Sequence, residues 1–259
     1  MCRMAARIGS SAPLSSLVYD APHGLERQSY LPRELLSGHV NVDGTGVAWW
    51  PRRGAGEPLL YRTELPPWAD GNLLRLLPRI EAEVEVALVR SATPGQGQGE
   101  HAVGPFVGGG LAVAHNGFVE RWNERAKRPL LAALDDDLFA ASRAGTDSEL
   151  LFLHVLQARR GLEGAALETV VAAALRRVGD ELQRLDLAAR LDVLVSDGIH
   201  VLAVRWALGL DSNSIYVRHG AGGTVFASEP LDPSSRFVPL EPGHWARSDG
   251  AELRSGPLT

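Results

Sequence analysis

The only cysteine of this 259-residue chain stands at position two, in the opening MCRMAARIGS. Cysteines kept for packing are small hydrophobes scattered through a core. A lone one at the start invites a chemical reading. Removal of Met1 would leave a thiol and an α-amine on one Cα. An α-amine titrates near about 7.7–8.0 and a thiol near about 8.5, so the amine can take the thiol proton close to neutral pH. The thiolate could then attack an amide carbonyl and form a thioester for water to hydrolyse. An incidental residue would occupy the same position, so the reading needs an oxyanion hole and groups that orient a substrate. HNG at 115–117 offers donors in the Asn116 side chain and the unhindered Gly117 N–H, although Asn-Gly is also an ordinary turn signal. Arg90, in RSATPG, could clamp a carboxylate with its planar fork, or serve a surface ion pair. Asp147 stands where a helix is expected to begin. The helix dipole favours a carboxylate there, and a substrate ammonium would give it a further role. Thiol-amine, Asn-Gly, arginine and aspartate together match a γ-glutamyl group: amide carbonyl, α-carboxylate and α-ammonium.

The elements that must position these groups change period along the chain. Strands are expected over 2–8, 47–50, 59–63, 84–90 and within 108–118, with short helices over 14–19 and 72–80, the latter stopped near Pro78. TDSE at 146–149 has the form of a capping box, so a helix should start near Asp147 and run to about Arg159. A second should span about 163–187. Asp197–Gly198 then joins two strands, and GAGG separates SIYVRH from TVFASE as another hairpin. This order fits a layered α/β unit with two helices between or against antiparallel sheets. No repeat or polar linker demands a second domain. The composition is 45% hydrophobic and 22% charged, with a net charge of −5, which gives no nucleic-acid footprint. One cysteine excludes an intrachain disulfide and a thiolate zinc site. The eight histidines lack metal-ligand spacing, so neither metal nor cofactor is expected. No apolar run approaches membrane length and no secretory signal opens the chain, so a cytoplasmic protein is expected.

In their order, MCR, RSATPG, HNG and GTDSE resemble the glutaminase domain of class II glutamine amidotransferases, which are N-terminal-nucleophile hydrolases. The resemblance implies an α+β fold, a four-layer αββα sandwich with two antiparallel sheets between helical layers, formed by a single domain over residues 2–259 after loss of Met1. It also implies that Cys2 is nucleophile and general base, that Asn116 and Gly117 form the oxyanion hole, that Arg90 holds the α-carboxylate, and that Asp147 holds the α-ammonium. Ser91 and Thr93, beside Arg90, and His115, beside Asn116, join the candidate substrate contacts; a structural role also accounts for His115.

VNVDGTGVAWW, LVRSATPG, PFVGGGLAVAHNGFV, GTDSELLF and VFASEPLD narrow the resemblance to the stand-alone enzymes of ergothioneine biosynthesis. Those remove glutamate from γ-glutamyl-hercynylcysteine sulfoxide. Relatives commonly read MCRHL and NADGFGVGWY, where this chain has Met4, Thr45 and Trp50. These departures bear on the leaving-group side of the pocket. A small-molecule partner is expected, with no nucleic acid or membrane and a homodimer left open. Since no synthase-sized segment follows the last strands, hydrolysis of a larger γ-glutamyl amide is favoured over the alternative, a glutaminase subunit that passes ammonia to a separate synthase. GQGQGE at 95–100 lacks the lysine and helix start of a phosphate loop, and reads as a lid over the glutamyl site. Trp49, Trp50, Trp68 and Trp122 read as core or pocket-wall aromatics, one of which could face a trimethylammonium.

Overall fold

The computed structural model describes residues 2–258 apart from Ser37, His39, Pro94, Ser234 and Ser235. Met1, whose removal is expected, Pro94 of RSATPG and the terminal Thr259 lie outside the described residues. Strand β1 (Arg3–Pro13) opens the fold, followed by a π-helical turn (Ser16–Asp20) and α1 (Leu25–Tyr30). β2 (Thr45–Trp50) and β3 (Leu59–Thr63) form a hairpin. α2 (Gly71–Leu76) is capped by the Asp70 carboxylate, which accepts from the Asn72 and Leu73 N–H groups, and leads to β4 (Glu81–Val89). β5 (Phe106–Gly108) turns at Gly109–Gly110 into β6 (Leu111–Val119). Helices α3 (Lys127–Ala132), α4 (Asp136–Ala141), α5 (Asp147–Gly161) and α6 (Leu167–Arg184) follow. The chain closes with β7 (Ala189–Ser196), β8 (Val201–Arg205), β9 (Ala207–Leu208), β10 (Tyr216–Gly220), β11 (Gly223–Ala227), β12 (Val238–Pro239), β13 (His244–Ser248) and β14 (Leu253–Pro257).

Two antiparallel sheets result. One has the order β12-β10-β11-β1-β4-β2-β3, the other β14-β13-β8-β7-β6-β5, with β9 also on β7. Period-two alternation divides the side chains among three apolar layers. Met4, Ala6 and Ile8 of β1, Val84, Val86 and Leu88 of β4, and Ala112 and Ala114 of β6 fill the space between the sheets. Ala5, Ala87 and Val89 point the other way, onto Leu17, Val18, Leu25 and Leu73 of the small helices. Leu111, Val113, Leu191 and Val193 pack on α5 and α6. The architecture is the expected four-layer sandwich of helices, sheet, sheet, helices.

Individual elements depart from expectation for local reasons. β1 runs on to Pro13 because Arg7 bridges its far end, donating to Glu85 at 3.0 Å and to the Ala82 carbonyl at 2.7 Å. α6 starts at Leu167, four residues inside the expected helix, after Ala166 in an extended conformation with no side-chain cap. α1, α3 and α4 have six residues each, too few for a readable helical period. β13 and β14 continue the second sheet from β8, a pairing partner that only the fold supplies.

A buried polar group stands out in the layer of α5 and α6. His154, buried on α5, donates from Nε2 to the Leu130 carbonyl of the α3 helix at 3.1 Å, while its Nδ1 has no partner. Burial pulls its pKa down to about 4, against the opposing pull of the Leu130 bond. The folded protein therefore keeps His154 neutral between about pH 4 and 6.5, where the unfolded chain takes up a proton. Stability from this site is complete above about pH 6.5 and is lost as the pH falls toward 4. Thermal melts of the wild type and His154→Gln across pH 4–8 check this. The variant should be less stable at pH 7.5 but show a shallower decline below 6.5; equal slopes would contradict the assignment.

Candidate active site

Strand parity brings the predicted groups to one place. Cys2 has the parity of Met4 and Ala6 and packs against the layer between the sheets. Arg90 follows Leu88 with the same parity on the neighbouring strand, where Arg3 lies opposite Val89. Asn116 continues Ala112 and Ala114 on β6 of the facing sheet. Three of the residues expected to act on a substrate thus project into the same interlayer space.

The Cys2 Sγ is half-buried and lies 3.9 Å from the Ser91 carbonyl, to which the thiol donates. Asn116 is fully buried, yet neither its Nδ2 nor its Oδ1 has a hydrogen-bond partner. A bare buried amide costs roughly 1–3 kcal/mol, so it marks a site reserved for a ligand or held under constraint. Its backbone is firmly fixed. Asn213 donates from Nδ2 to the Asn116 carbonyl at 2.9 Å and to Asp192 Oδ2 at 3.1 Å. Asp192, directly opposite Asn116 on β7, also accepts from the Trp206 N–H at 3.1 Å. Burial pushes the Asp192 carboxyl up to about 7, despite the Asn213 bonds.

Gly117 offers its N–H by strand geometry. The Leu191 N–H bonds the Trp206 carbonyl, so the Leu191–Gly117 pair is a non-hydrogen-bonded pair of the β6–β7 ladder. The Gly117 N–H is therefore turned away from β7, toward the side where β5 has already ended at Phe106, opposite Val113. A Cβ here would sit 1.9 Å from the Arg190 carbonyl oxygen, so only glycine fits.

Arg90 and Asp147 flank the loop expected to be a lid, and both already touch it. Arg90 is buried and donates from Nη2 to the Gly97 carbonyl at 2.7 Å. Asp147 is the first residue of α5. Its Oδ2 accepts from Gln96 Nε2 at 3.0 Å and the Val119 N–H at 3.1 Å, and its Oδ1 from the Ser148 N–H at 2.7 Å. Asn123 holds the Gly95 carbonyl at 2.7 Å. A loop amide and a loop carbonyl thus rest on the two groups suited to an α-ammonium and an α-carboxylate. The helix start that places Asp147 follows its sequence signal in half. Thr146 Oγ1 accepts from the Glu149 N–H at 3.1 Å, but the Glu149 carboxylate reaches back to the N–H groups of Arg143, Ala144 and Gly145.

Other residues take places the sequence did not indicate. His115 has the opposite parity to Asn116 and faces the helical layer, not the interlayer space. Its Nδ1 meets Ser148 Oγ at 2.9 Å and its Nε2 the Arg190 carbonyl at 3.0 Å, so the ring links the start of α5 to β7. Ser91 presents its carbonyl to Cys2. Thr93 lies in the loop, where its carbonyl accepts from the Gln96 N–H, beside a cavity of about 470 Å³ that also touches Val119 and Trp122. Met4 is fully buried between the sheets. Trp50 lies opposite Val84, itself opposite Ile8, about 20 Å along the strand from Cys2 at roughly 3.3 Å per residue. Thr45 is buried and donates from Oγ1 to the Leu65 carbonyl at 2.8 Å. Met4 and Trp50 are core residues, and Trp50 is remote from Cys2.

A buried ionic network beneath Cys2 was not anticipated. Arg3 donates from Nε to the Cys2 carbonyl at 2.8 Å and from Nη1 to Glu229 at 3.2 Å. Glu229 also meets His23 Nε2 at 2.7 Å and accepts from the Arg33 and Glu34 N–H groups at 3.0 and 3.1 Å. Burial opposes its charge, but the His23 bond, these N–H groups and Arg3 hold the carboxyl below its ordinary value. The motifs MCR and VFASEPLD contain Arg3 and Glu229, yet nothing in a separation of 226 positions announces the pairing. Among the described residues no group of three His, Cys, Asp or Glu side chains could hold a metal, and no helix is long and apolar enough to cross a membrane.

Known proteins agree with this geometry. Residues 25–207 match the family described as glutamine amidotransferases class-II. The γ-glutamyl-hercynylcysteine sulfoxide hydrolase of Mycolicibacterium smegmatis is 33% identical over 258 residues, covering 100% of both chains. That of Mycobacterium tuberculosis is 32% identical over 94% of this chain and 91% of its own. A class-II glutamine aminotransferase domain protein from Silicibacter pomeroyi superposes with a TM-score of 0.73 at 22% identity, covering 99% of this chain and 98% of its own, a likeness of fold. The matched family segment begins after Cys2. The chain belongs to the class II glutamine amidotransferases and is an amide-cleaving hydrolase on the N-terminal-nucleophile fold.

Proposed function

We propose that this enzyme is a γ-glutamyl amidohydrolase that releases glutamate from γ-glutamyl-hercynylcysteine sulfoxide, as a single unit whose nucleophile matures by loss of Met1. The observation that carries the reading is the bare, buried Asn116 amide, facing the same interlayer space as the Cys2 thiol. The freed α-amine of Cys2 takes the Sγ proton, and the thiolate attacks the γ-carbonyl carbon. The resulting oxyanion is held by Asn116 Nδ2–H and the Gly117 N–H. Collapse breaks the C–N bond, and the Cys2 ammonium returns its proton to the leaving amine. The amine then deprotonates a water, which attacks the thioester and frees glutamate and the thiol. Arg90 holds the α-carboxylate and Asp147 the α-ammonium, once Gln96 and the Gly97 carbonyl give way to substrate; Ser91 and Thr93 border the glutamyl group. The choice of leaving group is supported by the names of the two mycobacterial relatives.

Glutamate release should be measured with γ-glutamyl-hercynylcysteine sulfoxide and L-glutamine side by side. The proposal expects kcat/KM for the sulfoxide to exceed that for glutamine by at least a hundredfold. Preference for glutamine would replace it with an ammonia-supplying role, and activity on neither would overturn the substrate class. Two variants separate the site's tasks. Asn116→Ala should lower kcat by about 10²–10³ with little change in KM, because it removes one oxyanion donor. Arg90→Lys should raise KM at least about tenfold, because a point charge cannot replace a bidentate fork. The opposite split between kcat and KM would exchange the two roles.

A further inference from the structure

Beneath Cys2, three stretches of chain meet on one carboxylate. Glu229 follows β11 and is fully buried. It receives Arg3 from the start of β1, His23 from the turn before α1, and the backbone N–H groups of Arg33 and Glu34. Arg3 passes the hold on to the nucleophile, since its Nε donates to the carbonyl oxygen of Cys2 itself at 2.8 Å. Neighbouring bonds keep the strand from sliding. The Met4 N–H donates to Ser228 Oγ at 3.0 Å, the Ser228 N–H donates to the Met4 carbonyl at 2.8 Å, and Ser214 donates to the Ser228 carbonyl at 2.8 Å. The first residue of a chain frays unless it is tied down. Here the residue that would fray carries both thiol and base, and the peptide plane from which they hang is clamped by a guanidinium that is itself fully buried.

A buried ion pair is a poor device for stability, because desolvation offsets most of its attraction; it is better suited to fixing one geometry. We infer that Arg3 and Glu229 are positioning residues for Cys2, a clamp that aims the N-terminal thiol and amine at the carbonyl held by Asn116 and Gly117. The inference builds on the proposed amidohydrolase reading but makes a claim about Cys2 that needs no substrate to test. The clamp touches no reacting atom; it acts through the Cys2 carbonyl alone.

The test compares full-length wild type with Glu229→Gln, Arg3→Lys and Arg3→Met. Three quantities are read: the melting temperature, the pH profile of Cys2 alkylation by iodoacetamide, and kcat and KM for glutamate release per alkylatable site. The clamp predicts that Glu229→Gln folds but loses at least tenfold in kcat, with KM within about threefold and an altered alkylation profile. Arg3→Lys should recover part of what Arg3→Met loses. Folded variants with wild-type kcat and alkylation profile would overturn the inference. Should Glu229→Gln not fold, Arg3→Lys carries the same test, and failure of both to fold would make the network a stability element and overturn the positioning role. If the wild type hydrolyses no γ-glutamyl amide, the functional reading fails by itself, and the alkylation profiles still decide the clamp.

Discussion

A β-strand sends alternate side chains to opposite faces, and two facing sheets turn that alternation into a shared compartment. In this protein the pairing of β1 between β11 and β4 fixes which residues enter it. Because Arg3 lies opposite Val89 and Ala5 opposite Ala227, the even-numbered residues of β1 face the second sheet. Cys2, just before the strand, keeps the same parity. A slip of one residue would turn Cys2 onto the helical face and carry Arg3 into the interlayer space. The ladder of β1, the Met4–Ser228 bonds and the Arg3–Glu229 pair all hold against that slip. The site depends on register before it depends on any catalytic group.

The same logic explains why polar groups are tolerated in an apolar layer. Ala6, Ala48, Ala112, Ala114 and Ala203 keep the space between the sheets thin. At its active end the layer carries Asn116, whose amide has no partner, and Asp192, whose carboxyl is pushed up to about 7 by burial. Asn213 ties the two together through the Asn116 carbonyl, so the donor is held still while its amide stays bare. Under the proposed function, this arrangement spends folding energy on a donor that gains its partner when charge develops on a substrate oxygen. The loop over 95–97 shows the complementary arrangement, because Gln96 bonds Asp147 and the Gly97 carbonyl bonds Arg90.

Much of this was legible in the sequence, and the reason differs by residue. Cys2 was legible because it is the only cysteine and stands beside the removable Met1. The start of α5 at Asp147 was legible because a capping box is a local signal. The side His115 faces was not legible, because adjacency to Asn116 along a strand means the opposite face, a distinction that needs the strand to be known first. Met4 and Trp50 lie in the core, and only the register shows that Trp50 is remote from Cys2. Glu229, Asp192 and Asn213 were not legible at all. Each acts through a partner distant in sequence, and no spacing rule connects residue 3 with 229 or 116 with 213.

The central claim is that a free N-terminal Cys2 is the group that attacks the γ-glutamyl carbon. The most direct measurement is peptide mapping of active enzyme after inactivation by 6-diazo-5-oxo-L-norleucine, a γ-glutamyl diazoketone that alkylates an attacking thiol. The account predicts one adduct per chain, on a peptide that begins at Cys2 with its α-amine free. An adduct on another residue, or a fully active enzyme whose labelled peptide still begins with Met1, would contradict it.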